Sequence, residues 1–342
     1  MFLRNEWYVA ALSAEISSRP IQRLILGEAL ALFRTESGRA VALADRCPHR
    51  GAPLSSGEVH GETLACGYHG FTFDTDGACV HVPGMERVPA LACVKSYAVI
   101  ERWGWVFVWM GDATHADSAL LPDFKWMGEP GWVGRSEYLK VKSGYTLVRD
   151  NLLDLTHARF VHKKTLATSA VTDHPVHTHT EGRRLRITRE MPDIEPSPFF
   201  KRMGGFDGRV DHRQCIDFFP PCYVLINTRV SSVAGSLEDR AAEFYVLNAL
   251  TPETTCSTHY FWGLVRNFAI DDDSVTETQQ KLNRETFYED LAILEQQQMM
   301  LDTAPADWRP VPVPNDGGCI QAERLMNRLL AAQQAGSQSS VA

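Results

Sequence analysis

Two short words near the N-terminus, "CPHRG" and "CGYHG", each couple one cysteine to one histidine: Cys47 with His49, and Cys66 with His69. Sixteen residues lie between the pairs, giving C-x-H-x16-C-x2-H. Thiolate and imidazole both bind first-row transition metals well. Pro48, Gly51, Pro53, Gly67 and Gly70 suit two tight loops closing around one buried centre.

The grouping of the donors narrows the metal. Cys2His2 zinc sites tend to place Cys with Cys and His with His. One Cys and one His per loop suits a Rieske [2Fe–2S] cluster, with two thiolates on one iron and two imidazoles on the other. Neutral imidazoles in place of two thiolates make a cluster less anionic and easier to reduce. Such potentials run from about −150 to +300 mV, against about −400 mV for plant-type ferredoxins. A centre of that kind takes electrons from a low-potential donor and needs somewhere to send them. Structural zinc stays the competing assignment.

A destination is offered by "DNLLDLTHARFVH", which spaces Asn151, Asp154, His157 and His162 as N-x2-D-x2-H-x4-H. Two histidines and a carboxylate form the facial triad of non-haem Fe(II) oxygenases, leaving positions open for O2 or substrate. Five residues on an ideal helix place His157 and His162 about 140° apart. For both to reach one iron, the helix must end or bulge between them. The carboxylate must come from elsewhere. In "FYEDLAILEQQQ", Phe287 and Leu294 sit about 60° and 40° from Asp290, so Asp290 borders a buried stripe. Glu285, Glu289 and Glu295 compete with it on spacing. Asp154 suits a supporting part, accepting the free N–H of a ligating imidazole or bridging to a cluster histidine.

These groups need a frame. Residues 20 to 110 carry strand-length runs such as "LILGEALALFR" and "YAVIERWGWVFVWMG", separated by Gly, Asp and Ser turns. "GDATHADSALLPDF" reads as a linker with short helical turns, and "YTLVRDNLLDLTHARF" has helical spacing. Strands return over 183 to 262, and 274 to 301 is the longest helical candidate. "AAQQAGSQSSVA" reads as a frayed polar tail from about 332 to 342. The expectation is an α+β protein: an all-β domain over 1–110, then a catalytic domain over 111–342 with an antiparallel sheet and long helices.

The chain has 342 residues, 44% of them hydrophobic, enough for substantial cores. A net charge of −8 disfavours a nucleic-acid binder. No apolar run approaches the ~20 residues needed to span a bilayer. "MFLRNEWYVAALSAEI" lacks the basic start, long apolar stretch and cleavage site of a secretion signal, so a cytoplasmic location is expected. Eight cysteines in such a chain are not a disulfide scaffold.

Taken with "RNEWYVAAL", "CPHRGAPLSSG", "CGYHGFTFD", "YFWGLVRNFAIDD" and "EDLAILEQQQ", these motifs resemble the Rieske non-haem iron aromatic-ring-hydroxylating oxygenases over nearly the whole chain. Within that family the likeness is to the branch holding vanillate O-demethylase, dicamba and toluenesulfonate monooxygenases. The resemblance implies a helix-grip catalytic domain, with Cys47, His49, Cys66 and His69 on the cluster and His157, His162 and Asp290 on the iron. It places Asn151 beside the iron. It also implies a homotrimer in which Asp154 links one subunit's iron to its neighbour's cluster. A flavin/iron–sulfur reductase or ferredoxin would pass NAD(P)H electrons to the cluster, and O2 would be the co-substrate.

The implied reaction is O-demethylation of a methoxylated, vanillate-like aromatic acid with release of formaldehyde. Hydroxylation of a ring methyl or ring carbon, as for toluenesulfonate, is the alternative. A Rieske electron carrier without catalysis would need only about 110 residues and no H-x4-H. Asn227, Arg229 and Asn248, on the late strands "LINTRV" and "VLNAL", are candidate contacts for a carboxylate or phenol, with pairing inside the sheet as the competing role. His174, His177 and His179 read as a polar loop near a pocket mouth, with a further metal site as the alternative.

Overall fold

The alternating runs of the N-terminal third become eleven short strands in the computed structural model, which describes residues 1–162, 174–197, 200–201, 204–233 and 240–339. They are β1 (Trp7–Leu12), β2 (Ile21–Ile25), β3 (Glu28–Arg34), β4 (Ala40–Ala44), β5 (Glu58–His60), β6 (Thr63–Ala65), β7 (Thr72–Phe73), β8 (Cys79–His81), β9 (Ser96–Tyr97), β10 (Val99–Arg102) and β11 (Trp105–Trp109). Three sheets result, ordered β1-β11-β10, β2-β3-β4-β9 and β5-β6-β7-β8. Phe33, Leu43, Leu54, Leu64 and Phe73 pack with Cys47 and Cys66 in one buried cluster. The two cysteine loops follow directly on β4 and β6. This unit spans Met1–Leu121 together with Thr251–Thr254. Residues 111–121, part of the expected linker, hold single 3-10 turns at Ala113–His115 and Ser118–Leu120.

The second unit is built on seven strands: β12 (Val133–Val141), β13 (His177–Glu181), β14 (Arg184–Ile194), β15 (Val210–Phe219), β16 (Tyr223–Ser232), β17 (Ala241–Thr254) and β18 (Ser257–Arg266). They form one sheet, ordered β12-β18-β17-β16-β15-β14-β13. Helices fully described in this unit are α1 (Tyr145–Leu153), α2 (Ala158–Val161), α3 (Asp273–Asp302) and α4 (Gly317–Ser339). The expected polar tail is thus helical as far as Ser339, because Ala331, Ala332, Gln333, Gln334 and Ala335 are good helix formers that extend α4. Among the described residues no helix is long and apolar enough to cross a membrane.

The helices cover one face of this sheet. Phe287 of α3 lies 5.2 and 5.1 Å from the rings of Tyr260 and Trp262. Arg149 of α1 sits over Phe218. At the start of α4, a Cβ on Gly318 would stand 2.4 Å from Ile187, so glycine permits the close approach. Phe218 pairs with Val224, and Val224 with Asn248, so these three belong to the helix-covered face. Along α3 the buried residues recur at helical spacing, including Gln279, Thr286, Phe287, Asp290, Leu291 and Leu294. Asp290 is the charged member of that stripe.

Candidate metal centres

The two cysteine loops have the same backbone design. In each, the cysteine N–H donates to the carbonyl five residues on: Cys47 to Ala52 at 2.8 Å and Cys66 to Phe71 at 2.8 Å. In each, a glycine N–H four residues on returns to the cysteine carbonyl: Gly51 at 2.9 Å and Gly70 at 3.0 Å. Both glycines have positive φ, +73° and +70°, which L side chains adopt only with strain. Cys47 and Cys66 are 2% and 3% exposed, whereas His49 and His69 lie at the surface with ring centroids 4.5 Å apart. His49 stacks on Phe71, and Tyr68 lies against His69.

This donor set discriminates between one metal and two. Four ligands of one tetrahedral zinc stand about 3.3–3.8 Å from one another. Among the described residues only His157, His162 and Asp290 bring three ligand atoms within 4.8 Å of each other. The loop donors instead form a buried thiol pair and an exposed imidazole pair, which fits a binuclear cluster with its cysteine-bound iron inward.

The second constellation is built from α1, α2 and α3. Helix α1 stops at Asp154, whose φ and ψ of −118° and 96° are extended. The Asp154 carboxylate accepts the Thr156 N–H and hydroxyl, both at 2.9 Å, and so caps a 3-10 turn over Leu155–His157. The short α2 follows, and His162 leaves the helix with φ −97° and ψ 39°. The helix is therefore broken before His157 and ends at His162, with a change from 3-10 to α winding between the two. The expected interruption is present but begins three residues earlier, because Asp154 favours a cap over a helix interior.

Through these breaks the two imidazoles converge on Asp290. Nε2 of His157 and Nε2 of His162 are 3.2 Å apart, and they stand 3.4 and 3.2 Å from Asp290 Oδ1. Asn151 Nδ2 donates to the same oxygen at 3.1 Å. His162 and Asp290 are 2% and 5% exposed. His157 Nδ1 lies 2.6 Å from the main-chain carbonyl of Asp154, and His162 Nδ1 lies 3.0 Å from Glu289 Oε2. A carbonyl oxygen can only accept, so His157 carries its proton on Nδ1, and an ionised Glu289 requires the same of His162. Both Nε2 lone pairs then face Asp290, and three acceptor atoms converge.

Charge in the site follows from this geometry. Burial opposes ionisation of Asp290, yet the facing imidazoles outweigh it and hold its pKa below the usual carboxylate value. Burial likewise disfavours a charged His162, but the carboxylates of Asp290 and Glu289 raise its pKa above that of free histidine. The pocket is set up to hold positive charge among oxygens and nitrogens. The chemistry of this donor set fits a ferrous ion.

The competing acids are placed elsewhere. Glu285 is solvent-exposed and 3.9 Å from Lys281. Glu295 accepts the Lys142 N–H at 3.1 Å. Glu289 meets the far nitrogen of His162 and does not join the three converging atoms. Asp154 supports His157 through its carbonyl, not through the carboxylate.

The three expected substrate contacts are not brought together. Asn227 pairs with Cys215 and Tyr245, so alternation puts it and Arg229 on the face opposite Asn248 and away from the helices. There Asn227 donates to Glu243 at 2.7 Å, and Arg229 is exposed. Asn248 is on the helix-covered face but fully buried. Its amide donates to Val224 and Val246 carbonyls, and its oxygen accepts from the Tyr260 hydroxyl at 2.7 Å. It holds the sheet to Tyr260. His177 and His179 lie exposed on the edge strand β13 rather than in a loop, and no metal-binding group forms around them among the described residues.

Sequence reasoning missed Arg189. It is 5% exposed and lines, with Asp154, Gln214 and Gly318, a cavity of about 20 Å³ behind the α1 break. Its neighbour on the same face, His212, is half-buried, and no pattern along β14 or β15 marks either residue.

Residues 6–98 match the family model for the Rieske [2Fe-2S] domain, and residues 141–332 match that for the vanillate O-demethylase oxygenase C-terminal domain. The vanillate O-demethylase oxygenase subunit of Pseudomonas sp. (strain HR199 / DSM 7063) is 37% identical, over 100% of this chain and 98% of its own. A putative toluene-4-sulfonate monooxygenase system iron-sulfur subunit of Comamonas testosteroni is 38% identical over 98% and 99%. The crystal structure of dicamba monooxygenase bound to 3,6-dichlorosalicylic acid superposes with a TM-score of 0.92, at 33% identity, over 98% of this chain and 99% of that one.

Proposed function

Because the chain belongs to the Rieske oxygenases with a vanillate O-demethylase-type C-terminal domain, and is the oxygenase component of an aromatic O-demethylase or monooxygenase system, we propose that it demethylates a methoxylated aromatic acid. In this reading Cys47, His49, Cys66 and His69 hold the cluster, and His157, His162 and Asp290 hold the mononuclear iron. When bound, the cluster supplies single electrons and the iron supplies reduction of O2 for insertion into a C–H bond. A flavin/iron–sulfur reductase oxidising NAD(P)H provides the electrons one at a time, directly or through a ferredoxin.

The observation that carries the reading is the convergence of three acceptor atoms, with every other polar atom of the two imidazoles already engaged. The Asp154 carbonyl and Glu289 fix both rings as Nδ1–H tautomers. Asn151 holds the Asp290 carboxylate by donating to Oδ1. The Tyr260–Asn248 pair anchors the sheet beneath Phe287, one turn before Asp290 on α3. With His162 and Asp290 buried, bulk water is kept from that side of the centre.

The overall balance is ArOCH3 + O2 + two electrons + two protons giving ArOCH2OH and water. The hemiacetal then breaks its C–O bond to release a phenol and formaldehyde. An acidic aromatic substrate is supported by the relatives, whose names give vanillate, dicamba and toluene-4-sulfonate. The equally similar toluene-4-sulfonate subunits favour a second reading, hydroxylation of a ring methyl. We further propose a homotrimer in which Asp154 couples one subunit's iron to the next subunit's cluster.

The test supplies NADH and a reductase, and assays formaldehyde from a panel of methoxybenzoates, with methylbenzenesulfonates alongside. Formaldehyde stoichiometric with a phenol is expected. A benzylic alcohol from the sulfonates, without formaldehyde from any methoxyarene, would establish the second reading instead.

A further inference from the structure

We propose that Glu289 is a positioning residue of the mononuclear centre, its carboxylate accepting the Nδ1–H of His162 so that Nε2 is aimed at the metal. This rests on the reading of His157, His162 and Asp290 as ligands. Glu289 and Asp290 are consecutive on α3, so their side chains leave the helix about 100° apart. Asp290 lies in the buried stripe and meets the Nε2 edge of His162 at 3.2 Å. Glu289 lies on the flank, with a side chain 26% exposed, and meets the Nδ1 edge at 3.0 Å. One helix therefore grips both edges of one imidazole. That ring lies between the two carboxylates, so Glu289 cannot reach the metal position while it bonds Nδ1.

The arrangement is asymmetric. His157 Nδ1 donates to a neutral main-chain carbonyl, which any residue at 154 would offer. His162 alone donates to a carboxylate. A charge-assisted hydrogen bond is roughly twice as strong as a neutral one, and a carboxylate partner makes the imidazole a more basic ligand. His162 also needs more restraint, since as the C-cap of α2 it keeps an N–H bond to the Ala158 carbonyl at 3.1 Å but has non-helical φ and ψ. Glu289 supplies that restraint from a different element. It adds a second negative charge outside the ligand set, which favours retention of a divalent cation.

The experiment titrates Fe(II) into full-length protein stripped of mononuclear iron but retaining its cluster, for the parent, Glu289→Ala, Glu289→Gln and His157→Ala. Affinity is read by chelator competition, and fold by melting temperature and cluster absorbance. Glu289→Ala should bind Fe(II) about 10- to 100-fold more weakly, with unchanged cluster absorbance and melting temperature in the metal-free state. Glu289→Gln keeps an acceptor oxygen but not the charge, and should recover part of the loss, binding about three- to tenfold more weakly than the parent. Parent-like affinity in both variants, with binding abolished in His157→Ala, would overturn the role of Glu289 and leave the centre intact. High-affinity binding that survives in His157→Ala would instead overturn the ligand assignment. Should the alanine variant not fold, the glutamine variant decides alone: affinity within twofold of the parent counts against the proposal.

Discussion

Nε2 of His157 and Nε2 of His162 face each other across 3.2 Å, although both rings have already given their Nδ1 protons to other acceptors. Two lone pairs and the Asp290 carboxylate so arranged repel one another unless a cation lies among them. His157→Ala, His162→Ala and Asp290→Ala should each lower mononuclear iron by at least about tenfold. Turnover should go with it. Acid-labile sulfide and the visible absorption of the cluster should persist, because those atoms belong to the other unit. Iron analysis against sulfide content checks this, and full iron retention in Asp290→Ala would return the third ligand to another acid.

The matched cysteine loops give a second prediction. Gly70 has φ +70°, and a Cβ there would also stand 2.9 Å from Pro83 Cγ. Gly84 has φ +77° with open space around it. Alanine at either site carries a backbone cost of roughly 1–2 kcal/mol. Only Gly70→Ala must additionally displace a neighbour, and it does so in a loop whose hydrogen bonds position Cys66. Gly70→Ala should therefore assemble less than about half the parent's cluster content, while Gly84→Ala stays near the parent. Equal sulfide content in the two variants would show that the loop does not depend on the approach to Pro83.

Local chemistry was the most legible part of the sequence. The Cys/His loops and the H-x4-H word are short, and their spacing speaks without tertiary information. Asp290 was reachable by helix arithmetic, since a charged residue in an apolar stripe of α3 is conspicuous. Choosing it over Glu289 and Glu295 needed the fold, because helical spacing cannot say which flank meets His162 and which meets Lys142. The strand faces were not legible. In "YVLINTRV", Tyr223 to Ile226 are all buried, so both faces of β16 look apolar and the parity of Asn227 is hidden. Pairing with β15 and β17 sets it, and that pairing turned Asn227 and Arg229 away from the helices.

His212 provides a pH signature. Burial, then the positive charge of Arg189, pulls its pKa down from that of free histidine to about 4. Between pH ~6.5 and ~4 the unfolded chain binds this proton and the folded chain does not. The contribution to stability is complete above about pH 6.5 and is lost as the pH falls towards 4. At ~1.4 kcal/mol per unit it is at most about 3.5 kcal/mol. His212→Phe, placed against the ring of Phe200, should flatten the pH dependence of the urea midpoint across that window relative to the parent. Parallel curves for the two proteins would assign the acid sensitivity to other groups.

Asp154 has two jobs in this chain that can be separated. Its carboxylate caps Thr156 through both the N–H and the hydroxyl, while its carbonyl orients His157. The carboxylate also shares a small cavity with the buried Arg189. In the proposed trimer it is this charge that meets the neighbouring subunit's cluster, with His69 the contact. Asp154→Asn retains an acceptor for the Thr156 N–H and leaves the carbonyl untouched, so the fold and both metal contents should survive. Turnover should nevertheless fall by about 100-fold, with reduction of the cluster by its donor near normal. Thr156→Val removes one capping bond but keeps the charge, and should cost less than about tenfold. Equal losses in the two variants would mean that only the cap matters. Co-assembly then tests the route directly. Trimers containing both His69→Ala and His157→Ala chains can place an intact cluster against an intact mononuclear centre across one interface, though no single chain carries both. They should regain part of the activity that each variant lacks alone. Well-mixed trimers with both metals in place and no recovery would mean that electrons pass within one chain, and Asp154 would then have no part in joining subunits.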